Sequence, residues 1–173
     1  MTTVNGLPAH VLLVHAIVVL LPLSALLLIL TALWAPARSR LAGPNALLSL
    51  VVLALVPITT SAGEWLEHRL ASTELIRAHT ELGDTAVFVA IGVAVMALAV
   101  WWRGRESRAT SAPAGSASTR RTFLAPASAA VTAVIAVLSI VAGGVAVYDV
   151  YRIGDSGAKA SWDGKVGTAQ PAR

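Results

Sequence analysis

Four long runs of the chain, residues 9–34, 41–62, 85–102 and 122–147, contain no Asp, Glu, Lys or Arg. Each is close to the ~20 residues that carry a helix across a ~30 Å hydrocarbon core. Inside such a core every backbone polar group must be satisfied internally, so uncharged runs of this length form helices. The pattern predicts an all-α fold, an integral membrane four-helix bundle forming one domain, with helices at about 9–34, 41–63, 73–102 and 122–150. Composition agrees. Hydrophobic residues make up 56% and charged residues 13%, and the mean hydropathy is +0.74; soluble domains are about 45–50% apolar and about 25% charged, and disordered chains are poorer still in apolar residues.

The first run is also weighed as a cleaved signal, because Ala35, Pro36 and Ala37 resemble a small-residue cleavage site. Residues 1–10 lack Lys and Arg, and the run exceeds the ~7–15 residues of a signal core, so a retained helix is expected. Orientation follows the arginines. Arg38 and Arg40 stand between the first two runs, and Arg103, Arg105, Arg108, Arg120 and Arg121 stand against the single Glu106 between the last two. Both links are expected in the cytoplasm. The link between runs two and three sets Glu64, Glu67, Glu74, Glu81 and Asp84 against Arg69 and Arg77, a net of minus three, and is expected outside with both termini. The basic balance thus reflects membrane topology rather than nucleic acid. Residues 103–121 read as a flexible cytoplasmic linker, rich in Ser, Ala, Pro and Gly over 110–119, and residues 154–173 as a surface tail.

Ahead of the third run, Ser72 is a plausible N-cap, and Glu74, Arg77, Glu81 and Asp84 recur at helical spacing. Leu75, Ile76, His79, Leu82 and Gly83 form the opposite stripe. From His79 inward, Gly83, Ala86, Ala90, Ala94 and Ala97 make a row of small residues, the kind that lets membrane helices approach closely. The fourth run offers matching rows, Ala125, Ala129 and Ala133 beside Ser128, Thr132 and Ala136, continuing to Ser139 and Gly143.

Without cysteine, thiolate zinc sites, cysteine-held iron–sulfur clusters and thioether-attached haem are closed to this chain. Redox or metal chemistry must rest on His, Asp, Glu or Tyr. All four histidines, His10, His15, His68 and His79, fall toward the acidic end. Counted inward at ~1.5 Å per residue to Trp34 and Trp102, His15 stands roughly 28 Å and His79 roughly 34 Å from the arginine end, which makes them the expected pair. His10 lies one and a half turns above His15 and about 140° round the helix, so the two do not share one small ion. His68 shares a face with Glu64 and Glu67 and reads as solvated.

Two imidazoles on facing helices beside an apolar slot suit haem b. Zinc would need further ligands from Glu64, Asp84, Asp149 or Asp155, and no H-E-x-x-H helix is present. The rival reading is a cofactor-free structural or partner-binding membrane protein whose histidines are buried hydrogen-bonding residues. A transporter subunit has less behind it, since no charge lies deep in any run. Hydrolytic motifs are missing.

Four segments carry a resemblance: Leu7-Pro8-Ala9-His10-Val11-Leu12-Leu13-Val14-His15; Val56-Pro57-Ile58-Thr59-Thr60-Ser61-Ala62-Gly63-Glu64-Trp65; Ala78-His79-Thr80-Glu81-Leu82-Gly83-Asp84; and Arg152-Ile153-Gly154-Asp155-Ser156-Gly157-Ala158. Together they resemble the bacterial membrane family numbered 2231 among the domains of unknown function. The resemblance implies a four-helix membrane module, with His10, His15 and His79 at the family's histidine positions. It further implies electron transfer, because some relatives are joined to Rieske-type or cytochrome c-type domains. At Asp155 the chain departs from the family pattern, which often reads Gly-His-Ser-Gly-Ala.

Overall fold

The computed structural model describes residues 3–4, 6–110, 123–124 and 128–163. A two-residue hairpin, β1 (Thr3–Val4) antiparallel to β2 (Leu7–Pro8), leads into the first helix. It turns at Gly6, whose φ of +80° glycine adopts without steric penalty. Five helices follow: α1 (Ala9–Leu33), α2 (Ala35–Glu67), α3 (Glu74–Gly83), α4 (Ala86–Thr110) and α5 (Ala129–Trp162). Four segments are long and apolar enough to cross a membrane: α1, α2, α3 with α4, and α5. In cross-section they form a ring in the order α1, α2, α4, α5, with α5 packed back on α1 and α3 lying over the end of α5.

The core is a column of Leu21, Ala25, Leu28, Val52, Val56, Val93, Ala97, Val100 and Ala146. Most large apolar side chains outside it are exposed, including Val19, Leu26, Leu47, Phe88 and Val137, as expected where the surrounding solvent is lipid tails. The interior also holds Ser24, Thr31, Ser49 and Thr59, whose hydroxyls donate to carbonyls three or four residues back at 2.8–2.9 Å. That local bonding satisfies a hydroxyl without a second helix. Asn45 and Ser139 differ. Their buried side-chain polar atoms have no hydrogen-bond partner among the described residues.

The helix ends depart from the sequence expectation in four places. Residues 35–40, read as a link, are the first turns of α2, which follows α1 after Trp34 alone. Pro36 sits in the first turn, where its missing N–H costs nothing. The expected single helix from 73 to 102 is interrupted at Asp84 and Thr85 and then runs on to Thr110, so residues 103–110 are helical rather than linker. Thr73, not Ser72, caps α3, its side-chain oxygen accepting from the Ile76 amide at 3.2 Å. The last helix starts at Ala129 and extends to Trp162, absorbing the first part of the expected tail. The rest of the expected linker, 111–121, and of the tail, 164–173, lies outside the described residues.

Of the small-residue rows, Ala86, Ala90, Ala94 and Ala97 are buried in the bundle. Ala129 and Ala133 face outward. A close approach of α5 to α1 lies instead at Gly143, where an added Cβ would stand 2.9 Å from Ile29 Cδ1 and 3.2 Å from the Ala25 carbonyl oxygen.

Candidate functional site at the histidine end

The interruption between α3 and α4 begins the site. Gly83, Asp84 and Thr85 are weak helix formers that favour caps and turns. The Thr85 hydroxyl lies 2.6 Å from the Leu82 carbonyl oxygen, and 3.0 and 3.2 Å from the two carboxylate oxygens of Asp149. Asp149 is buried on α5. One hydroxyl therefore ties the break to α5 and sets the direction in which α3 leaves the bundle.

Carried by α3, His79 reaches α5 two turns beyond Asp149. Its Nδ1 is 2.9 Å from Ser156 Oγ, and Ser156 Oγ is 2.8 Å from the Ile153 carbonyl oxygen. That carbonyl can only accept, so the single serine proton goes to it and His79 Nδ1–H donates to Oγ. The ring rests on Gly157, where an added Cβ would come within 2.9 Å of His79 Cε1. No residue with a side chain fits there unless the imidazole moves.

His10 completes the pair from α1. Its Nδ1 is 3.0 Å from the Thr59 carbonyl oxygen of α2 and must donate to it. It lies against Gly63, where an added Cβ would be 3.0 Å from both Cε1 and Nδ1. The two imidazole centroids are 6.4 Å apart with planes at 76°. Because each ring spends its Nδ1–H on an oxygen, each neutral imidazole keeps Nε2 as its lone-pair nitrogen, the arrangement that orients metal-ligating histidines.

His15 is exposed, and its Nδ1 lies 2.5 Å from the Val11 carbonyl of its own helix. The structure thus brings His10, not His15, to His79. The physical reason is the 140° of helix between the two: once His10 faces α2 and α3, His15 is turned away. His68, at the C-cap of α2, stays on the surface.

Beneath the pair is an apolar cleft lined by Val14, Ile17, Val56, Ala86, Val150 and Ile153. It has room for water-sized molecules in about 60 Å³, and about 520 Å³ when its open side is counted. Among the described residues no three His, Asp or Glu side chains converge as a metal site. Asp155 does not join the histidines and instead pairs with Lys159 at 2.7 Å on the surface of α5.

The family described as predicted membrane proteins, DUF2231, matches residues 6–170. The chain belongs to this family. No curated protein and no solved structure matches it. All four segments that carried the resemblance meet at the histidine end: His10 from the first, Thr59 and Gly63 from the second, His79 from the third, Ser156 and Gly157 from the fourth.

Thr59, Gly63, Ser156 and Gly157 are not legible in the sequence as partners of the histidines. A signal existed for Gly63, which stands just beyond the apolar run 41–62, where a helix needs a reason to lack a side chain. Asp149 entered only as a zinc ligand, and its bond to Thr85 depends on a helix break that periodicity does not reveal.

Proposed function

We propose that this membrane protein is a redox-linked electron-transfer module whose histidine end would hold haem b through His10 and His79. The observation that carries this reading is the pair itself: two imidazoles on separate helices, each fixed through Nδ1, with centroids 6.4 Å apart. With Nδ1 bonded to Thr59 or Ser156, each ring would offer its Nε2 to such a group. The enclosed volume of about 60 Å³ is too small for a porphyrin, which must use the open side of the cleft; cofactor sites commonly span about 300–1,000 Å³. Haem bound there would supply a one-electron couple. The chain's own residues contribute the two nitrogens, rings held in one orientation by Thr59 and Ser156, and apolar walls that raise the sensitivity of any centre to charge. In the family context, a Rieske-type or cytochrome c-type protein outside a bacterial cytoplasmic membrane is the matching partner.

The test is the visible spectrum of protein produced with ample haem. A Soret band that sharpens and shifts with dithionite is expected, abolished or strongly altered by His10→Ala or His79→Ala and unchanged by His15→Ala. The small enclosed volume favours a second reading, in which the histidines are a cofactor-free clasp joining α1 to α2 and α3 to α5. A colourless protein destabilised by the same two substitutions, each removing a hydrogen bond worth about 0.5–1.5 kcal/mol, establishes the clasp and ends the haem reading.

A further inference from the structure

The opposite end of the bundle carries many arginines and one acid in the sequence. Between Asp84 and Asp149 the only acid is Glu106, and between Met1 and Gly63 there is none, so Arg38, Arg40, Arg103, Arg105 and Arg108 share one carboxylate in the sequence. That carboxylate is already engaged. Its Oε1 accepts from Trp102 Nε1 at 2.9 Å and the Phe123 amide at 2.7 Å, and its Oε2 from the Leu124 amide at 2.9 Å. Among the described residues, none of Arg38, Arg40, Arg105 and Arg108 is paired with a carboxylate.

The arginines are gathered rather than scattered. Arg38 of α2 lies across Gly104 of α4, its Cγ 3.6 Å from where a Cβ would stand, and donates to the Ala32 carbonyl at 3.0 Å. From α4, Arg108 reaches back to the Ser39 carbonyl. Arg103 is buried beside them, bonded to Thr132 and to the Ser128 carbonyl of α5, and close enough to Arg38 for the two charges to repel. Arg105 stands 5.1 Å over the Trp101 ring. Trp34, one residue before α2, and Trp102, one residue before Arg103, are 56% and 49% exposed, and exposed tryptophans of membrane proteins are enriched at the lipid headgroups.

We propose that this arginine end is a binding site for the phosphate of an anionic phospholipid, received between α2 and α4 by Arg38, Arg105 and Arg108. Among the described residues no carboxylate pairs with Arg38, Arg105 or Arg108, and exposed tryptophans flank them in the sequence, the residue type enriched where lipid phosphates lie. A guanidinium suits phosphate better than an ammonium because its planar fork donates two parallel bonds, and the chain has arginine at every one of these positions.

The full chain is reconstituted in phosphatidylcholine vesicles containing spin-labelled phosphatidylglycerol or spin-labelled phosphatidylcholine, and the motionally restricted fractions are compared. A preference of about fivefold or more for phosphatidylglycerol is expected, from the attraction of a single surface arginine to anionic lipid. Arg38→Ala/Arg108→Ala should bring it close to one. Arg40→Gln/Arg105→Gln, whose arginines make no bond between helices, should lower it with the fold intact, while Arg69→Gln/Arg77→Gln at the other end should not. Equal association of the two lipids in the unaltered protein overturns the proposal, as does a preference that survives both arginine-end double variants. If millimolar inorganic phosphate abolishes the preference, the site takes free phosphate and the lipid assignment fails.

Discussion

Replacing Gly157 by alanine tests whether the contact between α5 and the His79 ring is as tight as the geometry requires. The added methyl would sit 2.9 Å from Cε1, 3.3 Å from Nδ1 and 3.5 Å from Nε2 of His79. Ordinary contact needs about 3.5–4.0 Å, so the ring must retreat by about half an ångström or more. It retreats away from Ser156, whose hydroxyl already accepts at 2.9 Å, and a bond stretched beyond about 3.5 Å no longer counts. Overpacking costs about 1–3 kcal/mol and the lost bond about 0.5–1.5 kcal/mol, offset by about 1 kcal/mol of helix propensity gained by alanine over glycine. The net expectation is a loss of about 1–3 kcal/mol. Gly154→Ala, on the same helix with nothing within 4 Å of the added Cβ, should instead be neutral or stabilising by up to about 1 kcal/mol. Equilibrium unfolding in mixed detergent micelles measures both. Equal stability of the two variants, or a more stable Gly157→Ala, would refute the close packing of His79 on α5.

Asn45 is buried on α2 with neither its amide nitrogen nor its oxygen bonded among the described residues. Asn45→Leu should raise stability by about 1–3 kcal/mol, the cost of an unsatisfied buried polar group; a clear loss would show that the amide holds a partner such as water. Topology is checked with single cysteines in this cysteine-free chain: an impermeant thiol reagent applied to intact cells should label Ser161→Cys and spare Ser39→Cys, and the reverse pattern would invert the arginine-based orientation.

Much of the architecture was legible because a helix in lipid leaves a plain mark, an uncharged run of about 20 residues. The ends of the helices were not. Arg38, Ser39 and Arg40 looked like loop residues, yet Ser39 donates to the Pro36 carbonyl within its own helix and Arg38 reaches back to the Ala32 carbonyl at the end of α1. Val100, apolar like any lipid-facing residue, is buried, and nothing in composition separates the two environments when lipid and core are both hydrocarbon. The histidines show the same boundary. Helical phase established that His10 and His15 diverge, but which one faces the bundle was decided by Gly63, which leaves the space that His10 occupies. That fact belongs to the packing of α1 on α2.

The seam at Gly143 has a consequence for how the protein is made. It joins α5 to Ala25 and Ile29 of α1, helices far apart in the chain, so the ring cannot close until α5 has been synthesised. Until then the face of α1 that carries Ser24 and Ala25 has only lipid or a foreign helix to meet. Contacts between distant segments form late because the intervening chain must first be ordered. A nascent chain halted before α5 is therefore an open arc of helices with a vacant berth. Two such chains side by side could each accept the other's closing helix, so prompt delivery of α5 to its own α1 decides between a closed monomer and an exchanged pair.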